Sequence, residues 1–381
     1  MLVRNIFSGV LQLSLFLIVK LTFMLGLIKL STFNKFLLWI IKFNGPMSIK
    51  IFQVMSSSKE MNRLMGTDFI NKIKKLQDDV YPERRRHLNN FDYSSKEPLA
   101  TGTVGQVYTI QLTKKKEGIL KIAHQNIEKE IKDSISSFKL VRNLFKIMNK
   151  KIYRLIRNID LDEFAKFLIE QTDFNKEANN IIRFNQIFID YKMVKIPQVI
   201  DYSKNYLVMS KESGMKIEQF ISIYPEYQEE AVSLIYSTVY FMIKNQIIHG
   251  DLHFGNFLFN LNQTEKRVEI TLLDFGIICP LTKLQSKNLQ KFIKKRDNEA
   301  LILFLKEIMI NPPDELNLEK HSKDVDLLKD ILDNDEVILP SNFISLFSTL
   351  KIVFELQADC KKINPDFNSY LAGYMMDNEF D

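Results

Sequence analysis

The sequence predicts an α+β fold, on three observations. Two short β-rich runs, Val107–Leu112 and Gly118–Ala123, flank the turn segment Lys114–Glu117 as a hairpin. Helical periodicity dominates most of the chain beyond this hairpin. A polar loop set between apolar runs, Ile247-Ile-His-Gly-Asp-Leu-His-Phe-Gly-Asn-Phe-Leu-Phe259, precedes a strand that ends in Leu272-Leu-Asp-Phe-Gly276.

A short apolar helix over Phe33–Phe43 stops at Asn44-Gly45-Pro46, and a second helical stretch begins at Met47 and runs to Ser56. The span Tyr81–Pro98, with Arg84-Arg85-Arg86 and Asn89-Asn90, reads as a loop or short helix with a solvated charged face. After the hairpin come helical patterns at about 127–148 and 160–190, then strands at about 198–202 and 206–210. Helices at about 226–245, 283–295, 297–309 and 341–360 surround a hairpin around Phe257–Leu273.

Composition narrows the class. With 381 residues, 46% hydrophobic and 26% charged, the chain is globular rather than disordered or collagen-like. Cys279 and Cys360 provide neither a disulfide framework nor a structural zinc site, so a reducing compartment is the default. The net charge of +6 is concentrated at one end. Residues 1–59 contain no Asp or Glu and carry Arg4, Lys20, Lys29, Lys35, Lys42, Lys50 and Lys59, which leaves 45 basic against 46 acidic residues in the remainder. A near-neutral body argues against nucleic acid as a partner, because binding along a phosphate backbone needs clustered cations.

The basic leader contains an apolar run from Ile6 to Ile28, about the length that crosses a hydrocarbon core. Lys20 and Gln12 interrupt it. A membrane-crossing or interfacial helix with snorkelling lysines, a cleaved leader, and a buried helix pair remain open as readings.

The chemistry is concentrated in the polar loop and the strand end after it. Asp251 and Asn256 lie five apart, and Asp274 comes 18 residues later. Phosphoryl transfer from a nucleotide needs such a set: a carboxylate to orient the acceptor, then an amide and a second carboxylate to hold Mg²⁺. Three hard oxygen donors suit magnesium better than a transition metal. His249 and His253 flank Asp251, and His249 reads as a buried hydrogen-bonding scaffold rather than a zinc ligand. Upstream, Ala100-Thr-Gly-Thr-Val-Gly-Gln-Val107 is an imperfect glycine-rich turn with Ala100 at the first Gly position, and Gly102 and Gly105 permit close backbone approach to phosphates. Lys121 is a cation inside an apolar strand, and a buried Lys demands a carboxylate partner. In Glu170-Gln-Thr-Asp-Phe-Asn-Lys-Glu177, Asp173 and Glu177 are read as i, i+4 neighbours on one helical face, with Glu177 the expected partner of Lys121.

In combination these motifs resemble the UbiB/ADCK group of atypical protein-kinase-like proteins, over roughly residues 33–309. Asn44–Gln53 is similar to the group's helix ending in KxGQ, and Ala100–Val107 to its Ala-rich nucleotide loop. Lys121 stands for its strand lysine, Asp173–Asn179 for its ExDxxxEAxN helix, and His249–Asn256 with Asp274–Gly276 for its HGDxHxGN and DFG. The resemblance implies a two-lobed protein-kinase-like fold with an N-terminal helical extension bearing the KxGQ-like motif. The implied domains are a leader over 1–32, the extension over 33–98, a β-bearing lobe with inserted helices over 99–212 and a helical lobe over 213–381.

It also implies binding of ATP with Mg²⁺, association with a membrane, and a role in ubiquinone or related isoprenoid-lipid metabolism, with lipid-biosynthesis proteins as partners. Asp251, Lys121 and Glu177 would be catalytic. Ala100, Gly102, Gly105, Val107, Lys121 and Met209 would bind the nucleotide, and Asn256 and Asp274 the metal. Lys50, Gln53 and Asp173 would form a regulatory plug. Three departures stand out: Phe52 replaces the KxGQ Gly, Gln171 replaces the first acid of ExD, and Gly102 stands where the group usually has Ala. The first two weaken the plug, because Gln171 cannot form a charged pair with Lys50.

From Gly276 the chain passes through Cys279-Pro280 almost directly into the helix near Lys283, leaving no room for a long activation loop. A lipid-linked, small-molecule or regulatory role therefore fits better than broad protein phosphorylation. The alternatives are a small-molecule kinase of the aminoglycoside-phosphotransferase type, which leaves Asn44–Gln53 unexplained, and a nucleotide-switched pseudokinase. The acid-free leader is compatible with mitochondrial import or another organelle's membrane.

Overall fold

Asn44 and Gly45 set the geometry of the first helices, in a computed structural model that describes residues 15, 18–19, 21–55, 63, 66–74, 91–95, 97–114, 116–148, 153, 159–295, 297–309, 312 and 341–378. Helix α1 (Leu30–Phe43) ends where Asn44 caps it, its Nδ2 donating to the Ile40 carbonyl at 2.7 Å. Gly45 takes φ +82°, in the left-handed region that glycine enters at little cost, and Pro46 enters the first turn of α2 (Gly45–Met55). Helix α3 (Thr67–Lys74) comes next. Most of the apolar run Ile6–Ile28 and of the polar span Tyr81–Pro98 lies outside the described residues. Among the described residues no helix is long and apolar enough to cross a membrane.

The chain divides into two compact units, 1–111 with 121–172, and 112–120 with 173–381. In the first, β1 (Ala100–Thr101) pairs antiparallel with β2 (Gly105–Thr113), and β3 (Lys116–Ala123) leads into α4 (Ile127–Met148) and α5 (Leu161–Glu170). Its core joins Leu37, Ile40 and Ile41 of α1, Met47, Ile51 and Phe52 of α2, Phe69 and Ile73 of α3, Ile131, Phe138 and Phe145 of α4, and Phe164 and Leu168 of α5. Phe52 is 1% exposed, its ring 6.4 Å from that of Phe138 and 5.7 Å from that of Phe145. The position at which the related motif carries glycine is therefore a packing residue here, and a bulky apolar side chain suits it.

The second unit is built around a buried helix. Helix α6 (Phe174–Ile187), strands β4 (Val194–Lys195), β5 (Val199–Ser203) and β6 (Tyr206–Ser210), and helix α7 (Ile217–Ile223) lead to α8 (Gln228–Lys244). Every residue of α8 from Ala231 to Ile243 is buried, as expected of a helix that is apolar all round. It packs against β7 (Ile247–His249), β9 (Arg267–Leu272), α9 (Lys283–Lys295), α11 (Ser341–Ile363) and α12 (Phe367–Asp377). Helix α10 (Asn298–Ile308) packs on α9. Strand β8 (Phe257–Asn262) pairs antiparallel with β9 from Phe257↔Leu272 to Asn262↔Arg267, and β4 adds to β9 in parallel. Strand β10 (Ile278–Pro280) pairs with β7. The hairpin tip 112–120 belongs to this unit, where β3 neighbours β6 and β6 neighbours β5.

One expected element is divided. The pattern at 160–190 forms two helices, with a break at Gln171–Asp173. Asp173 has extended φ/ψ (−94°, 93°) and caps α6 by accepting from the Asn175 N–H, while Thr172 Oγ1 donates back to the Ile169 carbonyl. Short polar side chains that can bond local backbone favour such a break over continued helix. Asp173 and Glu177 therefore do not form an i, i+4 pair within one helix body.

Phe52→Ala should destabilise the protein by about 3–5 kcal/mol, the range for emptying an aromatic site in a packed core, measured by urea unfolding. A loss below ~1 kcal/mol would show that the site collapses around the smaller side chain.

Candidate active site

In the second unit, backbone bonds bring the HGD loop and the strand end after β9 together. His249 is fully buried at the end of β7. Its Nδ1 accepts the Asp251 N–H at 3.2 Å and its Nε2 lies 2.9 Å from the Leu273 carbonyl. With Nδ1 accepting, Nε2 must carry the proton, so the network assigns one neutral tautomer. Burial lowers the pKa of this imidazole below its ordinary value of 6.5, against the opposing pull of the Leu273 carbonyl and of Asp274 and Asp251. Gly250 has to be glycine: its N–H donates to the Ile277 carbonyl at 2.9 Å, and a Cβ there would lie 2.4 Å from Ile277 Cγ2.

The three oxygen-bearing residues are linked to one another. Asn256, 7% exposed, donates from Nδ2 to the Asp251 carbonyl at 2.8 Å, and its own carbonyl accepts the Leu273 N–H at 2.9 Å. That use of Nδ2 leaves Oδ1 as the atom a hard cation would take. Asp274 adjoins Leu273 and has φ +60°, a strained value for a residue with a Cβ and one that recurs where function over-determines the backbone. Its Oδ1 lies 3.4 Å from the Gly276 N. Among the described residues no three of His, Cys, Asp or Glu gather as a metal site. His253 instead accepts the Gly255 N–H at 3.0 Å.

Helix α6 is fastened to the same place. Phe275 is fully buried, with its ring 4.9 Å from Phe184 of α6 and 5.0 Å from His249. Asn180 Nδ2 donates to the Phe275 carbonyl at 2.8 Å. Glu177, one turn earlier on α6, is 4% exposed. Lys216 Nζ reaches the Gly255 carbonyl at 2.6 Å, and burial holds its ammonium below the ordinary lysine value. Met209 of β6 is buried in this unit. Both cysteines are buried free thiols, with Cys279 pushed up to about 12 and Cys360 to about 11, chiefly by burial.

The first unit holds the glycine-rich turn. Ala100 is the register partner of Val107, and the Gly102 N–H donates to the Gly105 carbonyl at 2.8 Å. A Cβ on Gly105 would lie 2.3 Å from the Ile122 carbonyl oxygen, so the turn presses onto β3 one residue past Lys121. His124 fastens it from the end of β3, with its N–H on the Val104 carbonyl at 3.0 Å and its Nε2 2.9 Å from the Gly102 carbonyl. Two donors in this turn, Thr103 Oγ1 and Gln106 Nε2, are buried without a hydrogen-bond partner among the described residues. Buried unpaired donors are costly. Lys121 is half-buried, less enclosed than the apolar run around it implies.

Lys50 and Gln53 are half-buried on α2, and Gln171 directs its Nε2 to the Phe167 carbonyl at 3.4 Å, within its own helix. Thr103, Gln106, His124, Asn180 and Lys216 were not singled out by sequence. A polar residue at a strand end or on a helix gives no periodic signal.

An HGD loop, a DFG strand end and a glycine-rich turn on a β-hairpin define a protein-kinase-like domain. The model of the ABC1 atypical kinase-like domain matches residues 72–302, more than half of the chain, so the chain belongs to that family, the UbiB/ADCK group of atypical kinases. An uncharacterised protein from the hydrogenase 1 5′ region of Clostridium pasteurianum is 29% identical over 258 residues, 63% of this chain and 47% of that protein. The probable protein kinase UbiB of Actinobacillus pleuropneumoniae is 24% identical over 299 residues, 71% of this chain and 54% of that protein. The chain thus spans about half the length of these curated relatives. Among solved structures, the Rv3197–erythromycin complex from Mycobacterium tuberculosis aligns with a TM-score of 0.47 at 15% identity, covering 80% of this chain and 87% of that one.

Because the folded pKa of His249 lies below its unfolded value, the unfolded state binds the extra proton. Stability is then full above about pH 6.5 and falls on acidification, by at most about 1.4 kcal/mol per pH unit for this single proton. Urea unfolding between pH 7.5 and 5 should show that loss, and His249→Gln should remove its share of the slope. An identical slope in the variant would assign the acid sensitivity to other groups.

Proposed function

We propose that the chain is an atypical kinase or ATPase of the UbiB type that binds Mg-ATP and acts at a membrane in ubiquinone or related isoprenoid-lipid metabolism. The observation that carries the reading is the linkage of Asp251, Asn256 and Asp274 through the Asn256 amide and the Leu273 N–H. Asn256 Oδ1 and the Asp274 carboxylate would hold Mg²⁺, which when bound neutralises charge developing on the transferred phosphoryl group. Gly102, Gly105 and Lys121, with the unpartnered donors of Thr103 and Gln106, would cradle phosphate oxygens, and Ala100, Val107 and Met209 would line the base pocket. Glu177 would orient Lys121.

The Asp251 carboxylate accepts the proton of the attacking hydroxyl or water as the new P–O bond forms and the bond to the leaving diphosphate breaks. The neutral, doubly bonded His249 donates nothing to that step and holds the Asp251 backbone in place. The short stretch 277–282 between Gly276 and α9 carries β10 and offers no platform for an extended peptide acceptor. Lipid or small-molecule hydroxyls and water remain as acceptor classes. Lys50, Gln53 and Asp173 would still regulate access, with a weaker plug than the motif usually gives, since the Gln171 amide is used on its own helix.

Asp274→Asn should abolish Mg-dependent ATP binding, whereas Asp251→Asn should keep it and lose about 10²–10⁴-fold in phosphate release, the usual worth of a positioned base. Calorimetry and a phosphate-release assay separate the two. Unchanged ATP affinity and turnover in Asp274→Asn would remove the reading, and binding with no turnover in the wild type would favour the nucleotide-switched pseudokinase.

A further inference from the structure

Helix α1 has two apolar faces. The inner one, with Leu37, Ile40 and Ile41, is held in the core of the first unit. The outer one is aromatic: Trp39 is 43% and Phe43 55% exposed, and the Trp39 ring lies 5.7 Å from Phe36 and 5.2 Å from Phe43. Lys35 and Lys42, both exposed, flank this row along one side of the helix. The apolar surface continues upstream through exposed Leu21, Met24, Leu25 and Leu27, a segment that returns onto α1 by stacking Phe23 on Phe33 at 4.9 Å. Exposed aromatics in such a group mark an interaction surface rather than scattered surface residues.

The charge pattern identifies the partner. No acid occurs before Glu60, so each charge that α1 and the Leu21–Leu27 segment contribute is positive. A second copy of the chain would bring like charges together, which disfavours self-association. An anionic bilayer offers both complements, headgroup charge for the lysines and an interfacial zone where amphipathic aromatic rings settle. Since its inner face is committed to the core, α1 can lie only along such a surface.

We propose that the outer face of α1, Trp39 and Phe43 flanked by Lys35 and Lys42 and extended by the Leu21–Leu27 surface, seats the protein in the plane of an anionic lipid bilayer. This deepens the membrane half of the function proposed above and rests on it for its purpose, while the contact itself is independent of nucleotide chemistry.

Trp39 is the only tryptophan in the sequence, so its fluorescence reports on this face alone. The full chain is titrated with phosphatidylcholine vesicles, with and without phosphatidylglycerol. The proposal expects a blue shift and reduced acrylamide quenching with the anionic vesicles, reversed by high salt. Lys35→Gln with Lys42→Gln should weaken partitioning about 30-fold, and Phe43→Ser should also weaken it, with Mg-ATP affinity unchanged in both. These side chains are exposed, and circular dichroism checks that the variants fold. Vesicle binding with an unshifted Trp39, absence of vesicle binding, or a Trp39 shift that depends on protein concentration without lipid would each overturn the proposal. Loss of Mg-ATP binding with intact vesicle binding would instead strike the kinase reading and leave this one standing.

Discussion

The paired hydrogen bonds of His249 are the constraint on which the rest of the site depends. One buried ring joins the Asp251 N–H to the Leu273 carbonyl, and so fixes the HGD loop against the strand that presents Asp274. Each bond is modest in net worth, but leaving either unmade would orphan a partly buried backbone group. Burial keeps the ring neutral, and neutrality is what permits one nitrogen to accept while the other donates. The same ring forms one wall for Phe275, whose other wall is Phe184, so the position of α6 and the conformation after Leu273 are coupled by packing as well as by Asn180.

Backbone strain is concentrated where this coupling is tightest. Asp274 holds a left-handed φ between an anchored Leu273 and a buried Phe275, and Gly250 sits against Ile277 where no Cβ fits. Such a conformation persists only when its surroundings over-determine it, which the bonds from Asn256, His249 and Asn180 do. Membership of the ABC1 atypical kinase-like family accounts for the presence of these motifs. The departures have local physical causes: Phe52 is retained as core between two aromatic rings, and Gln171 uses its amide to close its own helix end.

Much of this was legible in the sequence where the signal is local. The hairpin before Lys121 and the helices at 127–148 and 283–295 come from periodicity and turn residues, and the spacing of Asp251, Asn256 and Asp274 is itself the chemical signature. The break at Gln171–Asp173 was not legible, because apolar periodicity continues on either side and only the cap geometry distinguishes two helices from one. The parallel pairing of β4 with β9 was hidden because a two-residue strand is defined by its distant partner. The hold of His124 on Gly102 and the reach of Lys216 to Gly255 are single contacts set by tertiary packing, and no window of sequence encodes them.

The most direct measurement is electron paramagnetic resonance of Mn²⁺ titrated into the protein with a non-hydrolysable ATP analogue, comparing wild type with Asn256→Ala. Convergence of the Asn256 and Asp274 oxygens on one cation beside Asp251 predicts one nucleotide-dependent Mn²⁺ per chain, bound much more weakly once the Asn256 amide is gone. Equal Mn²⁺ affinity in the two proteins, or binding indifferent to nucleotide, would contradict it.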